Sequence, residues 1–347
     1  MRAWQGVRKL DRITIYFQSY IQARGKIGNT HAAALGIPGA AQQMNPLLQG
    51  LSAFPITPAS PEGIVDTQAL GMLVTRLREA DVDSICVLGS TGTYAYLGRP
   101  ERRRAIQAAV SLAGPVPVMA GIGALRTDDV LALGREAQDA GAAAALLAPV
   151  SYTPLSDDEV FGLFETVAAE LDIPICIYNN PGTTHFTFSL DLIGRLSALP
   201  GIIGVKNPVP DPQKVAQQHA ALKARVPADF SLGYSGDWNA SEALLAGGQA
   251  WYSVAAGLFP RQCLAIVRAA QAGQADLARS LNEAMEPLWA LFRQLSSLRV
   301  MYAAAHCLDL TRCNPPLPIL PLSRQDRERV RAVVETLADF NPCPIKA

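Results

Sequence analysis

Eight short apolar runs recur along the chain at a nearly constant interval, which constrains the fold more than any single motif. They are Leu51–Ile56, Ser84–Leu88, Val116–Ala120, Ala144–Ala148, Ile173–Tyr178, Ile202–Lys206, Phe230–Gly233 and Ala250–Val254. Their first residues lie 33, 32, 28, 29, 29, 28 and 20 positions apart. Roughly 30 residues hold one strand, a loop and one returning helix. Apolar runs without alternation are strands buried on both faces, hence parallel and covered by helices. The intervening stretches carry helix signals: Ser156-Asp157-Asp158-Glu159 ahead of 160–171, and Thr127-Asp128-Asp129 ahead of 130–140, with Gly141 as the stop. Eight such units predict an α/β fold, a closed (β/α)₈ TIM barrel over residues 44–258. An open doubly wound sheet is the alternative, but no G-x-G-x-x-G follows the first strand.

Residues 259–347 predict a C-terminal helical appendix of about three stretches. One covers Gln274–Cys307 with a break near Pro287, and another covers Ser323–Phe340. Asn314-Pro315-Pro316-Leu317-Pro318 must be an extended connector, because proline excludes helix there. Residues 1–43 differ from the rest. Six bases (Arg2, Arg8, Lys9, Arg12, Arg24, Lys26) face the single acid Asp11. This segment reads as sequence ahead of a second start at Met44 rather than as a transit peptide, and it stands outside the fold argument.

Of the 347 residues 49% are hydrophobic, and 30 basic residues balance 30 acidic ones. A neutral chain lacks the basic excess of a nucleic-acid binder, and no apolar run is long enough for a membrane span. Cys86, Cys176, Cys263, Cys307, Cys313 and Cys343 form no C-x-x-C pair, which suits a reducing, cytoplasmic setting. His31, His185, His219 and His306 are scattered, so no metal site is expected.

In such a barrel the active-site residues project from the carboxyl ends of strands. Strand six ends Gly204-Val205-Lys206, where an apolar surrounding favours the neutral amine that a nucleophile needs. A lysine at a strand end also snorkels to solvent without any role. Strand five ends in Tyr178, a phenol able to pass a proton beside an imine or simply an aromatic at the rim. Strand two ends Gly89-Ser90-Thr91-Gly92, which suits a carboxylate held by N–H groups and hydroxyls but is also a common turn.

Together, Gly89-Ser90-Thr91-Gly92, Tyr178-Asn179-Asn180-Pro181 and Ile203-Gly204-Val205-Lys206, in that order and strand context, resemble the dihydrodipicolinate synthase and N-acetylneuraminate lyase family of class I aldolases. The resemblance covers nearly all of the chain after Met44. It implies a homotetramer, a dimer of dimers, that forms a Schiff base with pyruvate or another 2-oxo acid and needs no cofactor. Lys206 would form the imine, Tyr178 would carry its proton, and Ser90 and Thr91 would hold the substrate carboxylate.

Several positions depart from the family pattern. Thr183 stands where dihydrodipicolinate synthases have the arginine that binds the second substrate's carboxylate, and threonine has no cationic fork. Ser151 falls where those enzymes lend a tyrosine across the subunit interface, with Tyr152 one residue later as a substitute relay. Thr93 replaces a frequent glutamate, and Leu125 an asparagine of lysine-inhibited enzymes. Thr183, Thr184 and His185 would instead make a neutral second-substrate side, faced by Tyr252 and by Asp237 and Trp238, with Arg126 able to reach a distal anion. His185 reads equally well as a solvated loop residue. The expectation is a lyase, an aldolase or dehydratase, acting on pyruvate, a 2-keto-3-deoxy sugar acid or a related 2-oxo acid. An authentic 4-hydroxy-tetrahydrodipicolinate synthase, or a paralogue that binds a 2-oxo acid without turnover, are the alternatives.

Overall fold

The structure, a computed structural model, describes residues 46–339. The expected extension over 1–43 lies outside them. Eight parallel strands close in sequence order into a barrel, β1 pairing with both β2 and β8. They are β1 (Gly50–Ala53), β2 (Ser84–Val87), β3 (Val118–Gly121), β4 (Ala144–Leu147), β5 (Ile175–Tyr178), β6 (Ile202–Pro208), β7 (Ser231–Ser235) and β8 (Ala250–Ser253). Each coincides with one of the apolar runs, shifted by no more than three residues at either end.

The helices between them are α1 (Thr67–Glu79), α2 (Arg99–Ala113), α3 (Thr127–Asp139), α4 (Asp157–Glu170), the single turn α5 (Pro181–Thr184), α6 (Leu190–Ser197), α7 (Val215–Lys223) and α8 (Ala240–Leu245). Their ends follow local chemistry. Ser156 and Glu159 form a reciprocal capping box at the start of α4, worth about 1 kcal/mol. At the end of α3, Gly141 takes φ 87°, the left-handed conformation that a glycine adopts without steric cost.

Beyond the barrel the chain makes five helices among the described residues rather than about three: α9 (Pro260–Gln271), α10 (Ala275–Ala284), α11 (Glu286–Leu295), α12 (Ser297–Cys307) and α13 (Arg324–Asp339). The long stretch expected with one break has two, at Met285 and at Ser296. Ser296 takes φ 75°, which no helix continues through. Its sequence carries no glycine or proline to announce that.

Two buried layers result. Phe54, Met119, Leu146, Cys176, Tyr178 and Tyr252 are among those filling the barrel interior. Leu51, Ile85, Val205 and Trp251 face the helices, with Trp289 of α11 set edge-on to Trp251 at 6.5 Å between ring centroids. The β5–β6 pairing carries one irregularity. Ile175 pairs with Ile202 but Cys176 pairs with Gly204, so β6 holds an extra residue at Ile203. A bulge of this kind resets which face the later side chains of the strand take. Ile203 and Lys206 both face the interior, while Val205 faces the helices.

Candidate active site at the carboxyl ends of the strands

The bulge places Lys206 directly opposite Tyr178 in the β5–β6 register. Lys206 is only 5% exposed, and its Nζ lies 3.9 Å from the centroid of the Tyr178 ring and 5.3 Å from that of Phe54. Asn179 clamps the two strand ends. Its N–H donates to the Lys206 carbonyl at 3.0 Å, and its side-chain amide donates to Asn207 Oδ1 at 3.0 Å. The lysine is therefore held by its backbone and confined between two aromatic faces.

The glycine-flanked turn after β2 arrives on the far side of Tyr178. Ser90 Oγ and Tyr178 Oη are 3.2 Å apart, and Thr91 beside it is buried. Packing demands both glycines. A Cβ on Gly89 would come 2.7 Å from the Phe54 ring, and one on Gly92 would come 2.8 Å from the Leu88 backbone nitrogen. Leu88 and Thr93, which bracket the turn, both hold positive φ, 59° and 53°, sparsely populated conformations for residues with a branched side chain.

Asn180 completes the cluster and was not singled out from the sequence. Its Nδ2 donates to Tyr178 Oη at 2.9 Å and to Thr183 Oγ1 at 2.7 Å, and reaches Ser90 Oγ at 3.3 Å. Tyr94, from the loop after β2, is a second aromatic that the sequence did not point to. Burial, and then the neighbouring Tyr178, push its phenol up to about 12. The Arg102 guanidinium stands 5.2 Å over the Tyr94 ring and donates to the carbonyls of Gly121 and Gly123. Burial lowers that guanidinium to about 10. A helix arginine that folds inward onto carbonyls looks in sequence like any solvated base.

Other expected residues are placed less uniformly. Thr183 and His185 are exposed on and just after α5, His185 at φ 56°. Thr184 is buried and its hydroxyl donates to the Asn180 carbonyl at 3.0 Å, so it braces the turn. Tyr252, expected on the second-substrate side, lies instead inside the barrel, 1% exposed, with its hydroxyl 3.5 Å from Cys176 Sγ. The register pairing Tyr252 with Ser52 turns its ring inward, edge-on to Phe54. Asp237 is likewise withdrawn: it accepts from Trp251 Nε1 at 3.0 Å and from the Ala255 N–H at 2.7 Å. Trp238 stays partly exposed. Arg126 is engaged by Asp128 through two contacts, at 2.9 and 2.6 Å, instead of standing free for an anion.

In the loop after β4, Ser151 Oγ donates to the Thr153 carbonyl of its own loop, and Tyr152 is 96% exposed. Thr93 is buried and lines a cavity of about 140 Å³ with Tyr96, Tyr302 and Asn314, on the side of the C-terminal helices. Among the described residues no three His, Cys, Asp or Glu side chains stand together as a metal-ligating group. None of the helices there is long and apolar enough to cross a membrane.

The chain as a whole is matched in known proteins. The sequence signature of the dihydrodipicolinate synthetase family covers residues 47–337. The chain belongs to that family. It is accordingly a lyase of the aldolase kind. The chain is 34% identical to the 4-hydroxy-tetrahydrodipicolinate synthase of Alcanivorax borkumensis over 288 residues, 82% of this chain and 96% of that one. A crystal structure of dihydrodipicolinate synthase from Agrobacterium tumefaciens superposes with a TM-score of 0.82 at 52% identity, covering 84% of this chain and 98% of that one. A chloride-inhibited dihydrodipicolinate synthase from Acinetobacter baumannii, solved with pyruvate, matches at 28% identity and a TM-score of 0.78, covering 84% and 99%.

Proposed function

We propose that this family member forms an imine between Lys206 and a 2-oxo acid, pyruvate or a 2-keto-3-deoxy sugar acid, and makes or breaks a bond beside it. The carrying observation is the position of Lys206 Nζ, buried and 3.9 Å from the Tyr178 ring centroid. The neutral amine adds to the ketone carbon while Tyr178 gives a proton to the ketone oxygen and receives one from the nitrogen. Tyr178, restored as a phenol by that exchange, then gives its proton to the new hydroxyl, which leaves as water, so that the protonated imine remains beside the phenolate. That cation draws electrons from the adjacent carbon, so aldol cleavage, condensation or loss of water can follow there. Ser90 and Thr91, between glycines at the end of β2, hold the substrate carboxylate. The pyruvate-bound relative supports this substrate class.

Thr183 carries no charge where synthases of the family have arginine, which favours a second substrate without a second carboxylate. The names of the curated relatives favour authentic 4-hydroxy-tetrahydrodipicolinate synthase activity as a second reading. The enzyme acts in the cytoplasm as a homotetramer. The exposure of Tyr152, an aromatic at the barrel mouth, supports a contact with another copy there.

The test is to incubate the protein with pyruvate, 2-oxobutyrate and 2-keto-3-deoxygluconate, reduce with borohydride and weigh the intact protein. An adduct that maps to Lys206 is expected, and its absence with all three refutes the mechanism. A condensation assay with aspartate semialdehyde separates the two readings of the second substrate.

A further inference from the structure

An amide nitrogen carries two hydrogens and donates only. Asn180 Nδ2 stands within hydrogen-bond distance of three oxygens, Thr183 Oγ1 at 2.7 Å, Tyr178 Oη at 2.9 Å and Ser90 Oγ at 3.3 Å. Tyr178 Oη is therefore an acceptor toward Asn180, and its own hydrogen is turned elsewhere. Two directions remain, Ser90 Oγ at 3.2 Å and the space where a group bound to Lys206 would sit.

We propose that Asn180 is a positioning residue that presents the Tyr178 proton to the substrate oxygen over Lys206. This role rests on the imine chemistry proposed for Lys206. Without Asn180 the phenol would be free to rotate and to donate in several directions. Within one protomer, and among the described residues, Asn180 and Ser90 are the side chains that hydrogen-bond Tyr178 Oη. Ser151 is engaged within its own loop and Tyr152 points to solvent, so neither performs this task inside one chain. Asn180 also ties Tyr178 to Thr183 on the second-substrate side, through one rigid amide. The backbone supports this role, because the Asn180 carbonyl accepts the N–H groups of Thr183 and Thr184 at 3.0 Å each and so starts α5.

The test follows the rate of pyruvate adduct formation under borohydride, as a function of pyruvate concentration and pH. It uses the full-length protein and the variants Asn180→Val, Asn180→Asp and Asn180→Gln. For Asn180→Val the saturating rate should fall at least about tenfold, while the half-saturating pyruvate concentration changes less than about threefold. Its alkaline limb should move to higher pH, since the phenolate has lost a donor. Asn180→Asp, which only accepts at neutral pH, should move the limb further in the same direction. Asn180→Gln should restore part of the rate. A residue that merely braced the loop would leave the limb in place. If Asn180→Val fails to fold, the folded Asp and Gln variants decide alone. Wild-type rates and an unmoved limb in folded variants that still form the adduct overturn the inference. No adduct in the wild type with pyruvate, 2-oxobutyrate or 2-keto-3-deoxygluconate overturns the imine reading, and this one with it.

Discussion

Lys206 and Tyr178 are register partners on adjacent strands, and the lysine's Nζ lies 3.9 Å from the centre of the tyrosine ring. That arrangement shields the amine from water. Both residues end their runs on the inner face of the barrel, where the strand ends converge. The proposed roles of the two residues can be tested separately.

Removing only the phenol oxygen separates them. Tyr178→Phe keeps the ring against the lysine and loses the proposed proton carrier and the contacts to Ser90 and Asn180. The turnover rate should fall roughly 10²–10⁴-fold. The borohydride-trapped adduct on Lys206 should still accumulate, more slowly. Rate-matched trapping in the variant and the wild type would contradict a proton role for Tyr178.

The proposed second-substrate side can be recharged. Thr183 is exposed beside Asn180 and has no cationic neighbour in its hydrogen-bond set. Thr183→Arg should favour second substrates that carry a carboxylate. A charge-assisted hydrogen bond worth about 1.5–3 kcal/mol corresponds to a KM lower by about 10- to 150-fold for such a substrate. Steady-state kinetics with aspartate semialdehyde as second substrate, against an uncharged aldehyde, checks it. An equal change for both would show that the position does not read charge.

The turn proposed to hold the carboxylate tolerates no added carbon. A Cβ on Gly92 would meet the Leu88 nitrogen at 2.8 Å and its Cα at 3.0 Å, and backbone cannot swing aside as a side chain does. Gly92→Ala should destabilise by about 1–3 kcal/mol, the usual cost of overpacking. It should also raise the 2-oxo acid concentration needed for half-saturation, because Ser90 and Thr91 must shift with the turn. An unchanged thermal midpoint together with unchanged pyruvate saturation would refute this.

Stability should depend on pH through the buried carboxyl of Asp237. Burial pushes the Asp237 carboxyl up to about 6, against hydrogen bonds from Ala255, Trp251 and Val254 and the charge of Lys206, which lower it. In the unfolded chain an aspartate titrates near about 3.9. Below about pH 4 both states hold the proton. Between that value and about 6 the folded state holds more, so the contribution to stability falls as pH rises. The loss is complete above the folded value and amounts to about 3 kcal/mol. Asp237→Asn does not titrate. The thermal midpoint of the wild type relative to this variant should therefore decline between pH 4 and 7. A constant difference across that range would contradict the assignment.

The barrel itself was legible because its signal is long and repetitive. Eight apolar runs at a steady interval leave few other architectures, and the Ser156 capping box and Gly141 are local signals that act over three or four residues. Lys206, Tyr178 and Ser90 were legible as strand-end residues, and the structure brings them together. Tyr252 was misplaced because its strand position predicts a location and not a facing. Asn180 was legible only as part of the Tyr178–Pro181 motif, and Tyr94 and Arg102 were missed, because sequence does not separate a side chain turned into the site from one turned to water.

What the sequence determined by itself was the order of the elements and the chemical types at the ends of the strands. Hydrophobic periodicity and capping are properties of a few adjacent residues, so they survive without knowledge of the fold. The tertiary structure decided the facing of each strand-end residue. Strand side chains alternate with a period of two, and a single extra residue reverses the alternation. The bulge at Ile203 is such a residue, created by pairing with β5, and it is what lays Lys206 against Tyr178. Closure of the barrel then brings β2 to the same place, and a turn 116 positions earlier in the chain supplies the hydroxyl of Ser90.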